Sequence, residues 1–114
     1  MNAPADCRLI GRWRIVEADQ WDQDYLDLVE PAYITFGADG HGEFAFGALN
    51  AGLTLEYART IIFFRWSGSD EGTEITGTGS AELNDDGVLE IELSFDDGDD
   101  AVLRAQQDPS LIAG

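Results

Sequence analysis

The chain carries few side chains suited to nucleophilic or metal chemistry. It has one cysteine, Cys7, and one histidine, His41. They lie far apart, and neither has the spaced Cys/His neighbours that a zinc site or a thiol–imidazole pair needs. His41 falls between Gly40 and Gly42 and reads as a solvated turn residue, and Cys7 reads as incidental. A single cysteine allows no internal disulfide, which fits a reducing compartment. Carboxylates are plentiful: there are 23 acidic residues. Asp96, Asp97, Asp99 and Asp100 offer the several oxygens that calcium wants. Their spacing is not that of an EF-hand loop, and Asp with Gly is also preferred hairpin-turn chemistry, so a turn is expected. Asp22, Asp24 and Asp27 read as the wet side of a helix. An acid–base pair needs environments that push two pKa values apart, and the inward faces derived below contain no acid. The expectation is therefore a protein that is not an enzyme, with no catalytic residue, no metal ligand and no cofactor.

Charge excludes more. Six arginines and no lysine face those 23 acids, giving a formal net charge of −17. A small domain usually carries about 2–8 charges of net sign. Such a surface repels phosphate backbones and anionic lipids, so neither nucleic acid nor membrane is an expected partner. It attracts a basic protein or divalent cations. Its simplest role is solubility, or adaptation to a salty cytoplasm where screening weakens the repulsion. Arg12 and Arg14 read as charge partners or as holders of an anionic group. Residues Met1 to Asp6 show no basic region leading into an apolar one, and no segment is long enough to span a bilayer. The expected location is cytoplasmic.

The elements that position these residues are strands. With 114 residues and 44% hydrophobic content, one domain over 1–114 is expected, with loose ends at 1–8 and 107–114. A first strand runs from about Leu9 to Glu17, with Gly11, Trp13 and Ile15 on its core face. From Asp19 to Glu30 the period changes. Trp21, Tyr25, Leu28 and Val29 form one stripe of a short helix that Asp19 could cap and Pro31 stops. Ala32, Ile34 and Phe36 begin a second strand, which turns at Asp39-Gly40. Gly42 to Ala48 sends Phe44 and Phe46 inward, and Asn50-Ala51-Gly52 reads as a turn. Leu53, Leu55 and Tyr57 alternate with polar residues. Thr60 to Trp66 places Ile62, Phe64 and Trp66 on one face, and Ile61, Phe63 and Arg65 on the other. Ser67 to Gly72 reads as a polar loop. Glu74 to Leu83 and Val88 to Phe95 alternate strictly, separated by Asp85-Asp86-Gly87. Ala101 to Gln106 is the last strand. Eight short strands in series, each with an apolar face, predict an all-β, eight-stranded antiparallel up-and-down barrel with one short helix after strand 1.

Gly11-Arg12-Trp13, followed by the helix Trp21-Asp22-Gln23-Asp24-Tyr25-Leu26, resembles the start of the calycin barrels, the lipocalins and fatty-acid-binding proteins. In that family the tryptophan closes one end of the barrel and an arginine near the end of the last strand packs over it. The resemblance gives Arg104 that part, a cation–π contact worth about 0.5–2 kcal/mol. Fatty-acid-binding proteins hold a carboxylate with an Arg-x-Tyr on the final strand. Here Arg104-Ala105-Gln106 lacks the tyrosine. Most of the chain is also similar to small bacterial proteins that bring no activity with the likeness. The phrases are Gly11 to Ile15, Trp21-Asp22, Pro31 to Ile34, Gly42-Glu43-Phe44, Phe64 to Gly68, Asp70-Glu71 and Gly98-Asp99-Asp100.

An eight-stranded barrel is just wide enough to be filled by side chains or to hold one small ligand. Gly77, Gly79 and Ala81 are small, and the facing aromatics either interdigitate into that space or leave a pocket beneath the helix. The first functional expectation is a small apolar ligand held by Trp13, Tyr25, Phe44, Phe46, Tyr57, Phe64, Trp66, Gly77, Gly79 and Arg104. The second is a protein-interaction module, an acidic inhibitor or immunity-type protein that binds a basic partner. Ile61 and Phe63, apolar on the outer face, add the expectation of contact with a second copy, unless the helix or a chain end covers them.

Overall fold

The computed structural model describes residues 7–28 and 31–107. Its strands are β1 (Gly11–Ala18), β2 (Tyr33–Phe36), β3 (His41–Phe46), β4 (Leu49–Tyr57), β5 (Ile61–Asp70), β6 (Thr73–Leu83), β7 (Leu89–Phe95) and β8 (Asp100–Gln107). One helical turn, α1 (Gln23–Leu26), follows β1. Each strand pairs antiparallel with the next, and β8 returns to β1, so the sheet is a closed up-and-down barrel. Among the described residues no helix is long and apolar enough to cross a membrane.

Period-two patterning builds the barrel. Ile34, Phe44, Leu53, Phe64, Ile91 and Leu103 are among the buried side chains, and the outward neighbours are mostly acidic or hydroxylated. No charged or polar residue is buried among the described residues. Closure requires one departure from alternation. Simple parity after Trp13 and Ile15 would send Glu17 inward. A bulge between Ile15 and Glu17 shifts the register against β8, so Glu17 lies outside opposite Arg104.

Four boundaries differ from the sequence reading. The β3–β4 turn falls at Gly47-Ala48, where Gly47 takes φ +57°, and Asn50 to Gly52 lie inside β4. The stretch from Ser67 to Asp70 continues β5, paired on one side with Leu49 to Gly52 of β4 and on the other with Thr73 to Thr76 of β6. The turn that ends it is Glu71-Gly72, with φ of +52° and +86°, the left-handed pair that a tight hairpin needs. The helix is a single turn. Asp22, not Asp19, caps it, its Oδ1 accepting from the Tyr25 N–H at 3.0 Å. Asp19 instead accepts from the Val102 N–H at 2.8 Å and so carries the β1–β8 junction onward. Leu28, expected on the buried stripe, is 61% exposed, whereas Leu26 is fully buried. Val29 lies outside the described residues. At the chain ends, the Arg8 N–H bonds the Arg59 carbonyl and Gln107 belongs to β8. The expectations for 1–6 and 108–114 lie outside the described residues.

Candidate functional site

Each barrel end is closed by its own residues. At the β1 entry, Trp13 is buried and its Nε1–H donates to the Leu9 carbonyl at 2.9 Å. Tyr57 faces the same end. Its hydroxyl donates to the Gly37 carbonyl at 2.5 Å and accepts from the Gly40 N–H at 2.7 Å, clasping the β2–β3 turn. At the opposite end α1 seats on the β3–β4 turn. The Gly47 N–H donates to the Leu26 carbonyl at 2.8 Å, and the Tyr25 ring lies where a Gly47 side chain would be.

Across the α1 end of the barrel runs an unbroken chain of rings. Phe95 meets Trp66 at 5.1 Å between centroids, Trp66 meets Phe44 at 5.4 Å, and Phe44 meets Phe46 at 5.5 Å. Phe46 then meets Trp21 at 5.0 Å, and Trp21 stacks on Tyr25 at 5.9 Å. These spacings are those of favourable aromatic pairs. The region beneath α1 that could have been a mouth is thus packed with aromatic side chains.

The space beside the β6 glycines is also filled. Phe64 is the register partner of Gly79, and Trp66 that of Gly77. Each ring folds across to cover its glycine. A Cβ at Gly79 would stand 2.6 Å from two Phe64 ring carbons, and one at Gly77 would stand 2.5 Å from Trp66. The Trp66 Nε1–H donates to the Thr78 carbonyl at 3.0 Å, fixing its ring over β6. Aromatic cover of a strand glycine by its cross-strand neighbour is an established way to curve a sheet and keep it packed.

Arg104 is not over Trp13. Trp13 pairs with Gln107, whereas Arg104 points out of the barrel between Glu17 at 3.5 Å and Glu90 at 3.9 Å. Alternation from buried Leu103 dictates this, and the bulge in β1 brings Glu17 out to meet the guanidinium. Of the ten residues expected to line a ligand site, Trp13, Tyr25, Phe44, Phe46, Tyr57, Phe64 and Trp66 join the barrel interior or its end closures. Gly77 and Gly79 lie beneath rings, and Arg104 is outside. Arg12 lies over the Tyr33 ring, 4.1 Å from its centroid, and Arg14 pairs with Asp27 at 3.7 Å. Asp27 also accepts from the Ala32 N–H at 2.9 Å, so it anchors the end of α1 instead of merely wetting it. Asp97 accepts from the Asp99 N–H at 3.3 Å in the β7–β8 turn. Among the described residues no group of three His, Cys, Asp or Glu side chains converges as a metal site.

A groove of about 630 Å³ lies on the outer face of β4 to β8. The register aligns two outward rows in it. One runs Glu56, Phe63, Ser80, Glu92 and Val102; the other runs Thr54, Arg65, Thr78, Ser94 and Asp100. Phe63 is 52% exposed, so nothing among the described residues covers it; Ile61, next outward on β5, is half-buried. The groove's charged side chains are three carboxylates, Glu56, Glu92 and Asp100, and one guanidinium, Arg65. Sequence reasoning singled out Phe63 but missed the groove, because the rows exist only once five strands are in register.

The class defined by fold and site is an eight-stranded antiparallel closed barrel with a packed interior and a grooved acidic exterior. Neither the protein-family models nor the curated proteins searched contain a match to this chain.

Proposed function

We propose that this protein is a calycin-like barrel that works from its outside, as a non-enzymatic interaction module for a basic protein. The observation that carries this reading is the exposed Phe63 set among carboxylates in the outer groove. The interior favours it too, since the room named for an apolar ligand beside Gly77 and Gly79 is occupied by Phe64 and Trp66. A net charge of −17 steers a cationic partner over a distance and discriminates against anionic ones. The single thiol and the charge fit a cytoplasmic partner.

The test is capture from cells of the source followed by titration of the captured protein in purified form. The expected partner has a pI above about 9 and binds with 1:1 stoichiometry. Its Kd is expected to rise at least about tenfold between about 0.05 M and 0.5 M salt. A salt-insensitive partner, or co-purification of a lipid-like molecule inside the barrel, would overturn the reading.

A further inference from the structure

We infer that the β4–β8 groove is the docking site for one kind of segment: an extended stretch of the basic partner with an apolar side chain between two cations. The inference rests on the reading above and specifies where the partner sits and what it must present. A closed barrel offers no unpaired strand edge, so a partner cannot add a strand and must dock on a face. Of the outward apolar side chains on β5, Phe63 is the exposed one, and it lies within the concavity.

Register sets the spacing. Glu56 is the direct cross-strand neighbour of Phe63, and Glu92 lies two strands away on the other side through Ser80. At about 4.8 Å between strands, these carboxylates stand about 5 Å and about 10 Å from the aromatic column. A segment crossing the strands in extended form advances about 3.3 Å per residue. Its side chains alternate, so those facing the row stand two or four residues apart: one cation lies two residues before the apolar side chain, and another, through the reach of an arginine side chain, four residues after it. Ser80, between Phe63 and Glu92, leaves room for the apolar group to lie against the ring. Asp100, in the second row, extends the negative rim. Arg65 stands directly beside this track and disfavours a uniform polycation, so the site selects a pattern and not charge alone.

The experiment is an amide-resolved NMR titration of the whole protein with two synthetic peptides. One carries Arg-Ser-Trp-Ser-Ser-Ser-Arg; the other has serine in place of tryptophan. At low salt the first peptide is expected to shift amides along Glu56, Phe63, Ser80 and Glu92, and to bind about tenfold more tightly than the second. Phe63→Ser, a substitution at an exposed position, is expected to abolish that difference while leaving the folded spectrum intact. Glu92→Gln is expected to weaken the first peptide by a further few-fold without changing the folded spectrum. Equal binding of the two peptides, or shifts scattered over the acidic surface, would overturn the groove and leave the basic-partner reading standing. No shift with either peptide at low salt would overturn both. Self-association without peptide, confined to these amides and lost in Phe63→Ser, would assign the groove to a second copy and overturn the inference.

Discussion

Single hydrogen bonds show how the barrel uses its polar atoms. Tyr57 has an inward ring and a hydroxyl that both donates to Gly37 and accepts from Gly40 across the β2–β3 turn. Removing only the oxygen leaves the ring in place and strands a carbonyl and an N–H in a part-buried position. Tyr57→Phe is therefore expected to cost about 1–3 kcal/mol, read as a fall in thermal midpoint of about 4 °C or more. An unchanged midpoint would mean that water replaces both bonds. On sequence grounds Tyr57 is a candidate for lining an apolar ligand site. Tyrosine on an apolar face announces an inward ring, but the partner of its hydroxyl belongs to a turn 17 to 20 residues away and has no local signature. Glu17 shows a similar limit. Alternation alone sends it inward, and only pairing against β8 reveals the bulge that carries it outside to Arg104.

Individual strands differ in how far sequence revealed them. β6 and β7 alternate strictly, and their boundaries fall within a residue of the expected ones. The polar end of β5 looked like a loop because hydroxyl and acidic residues mark both turns and wet strand faces. The one-turn α1 looked longer because Leu28 and Val29 continued its stripe, while the buried Leu26 is held by its carbonyl bond to Gly47. The β6 glycines were legible as small residues that facing aromatics could cover, but not which ring would cover which glycine. Whether a ring fills the space depends on which residue stands opposite, and that is a matter of register. This gives a comparison of two glycines. Gly79→Ala would press a methyl group against Phe64 and against the Glu92 carbonyl at 2.7 Å. The expected cost is about 1–3 kcal/mol in denaturant unfolding. Gly52→Ala on β4 meets nothing within 4 Å and is expected to leave stability unchanged or raise it by less than about 1 kcal/mol. If Gly79→Ala proved equally harmless, the space beside β6 would be open and an interior ligand would regain its site.

Across the whole molecule, the core and the charge act in opposite senses. The interior carries no buried charge among the described residues, so electrostatic effects on stability act through the surface. The chain's 23 acids outnumber its six arginines, and each pairing of Arg104 with Glu17 and Glu90 is open to solvent. Salt screens these exposed attractions, but it also screens the repulsion among the uncompensated carboxylates, which are far more numerous. Glu82 stands directly opposite Glu90 on neighbouring strands, a like-charge pair within the sheet that the solvent-exposed Arg104 on the far side of Glu90 offsets only in part. The sign follows. Raising NaCl from about 0.05 M to about 1 M is expected to raise the thermal midpoint, and Glu82→Gln is expected to raise it at low salt and lose its advantage at high salt. The salt that stabilises the barrel also weakens its hold on a cationic partner, so midpoint and partner Kd are expected to climb together along one salt series. A midpoint that fell with NaCl would mean that surface ion pairs outweigh the excess charge, and it would remove the repulsion that a basic partner relieves on docking.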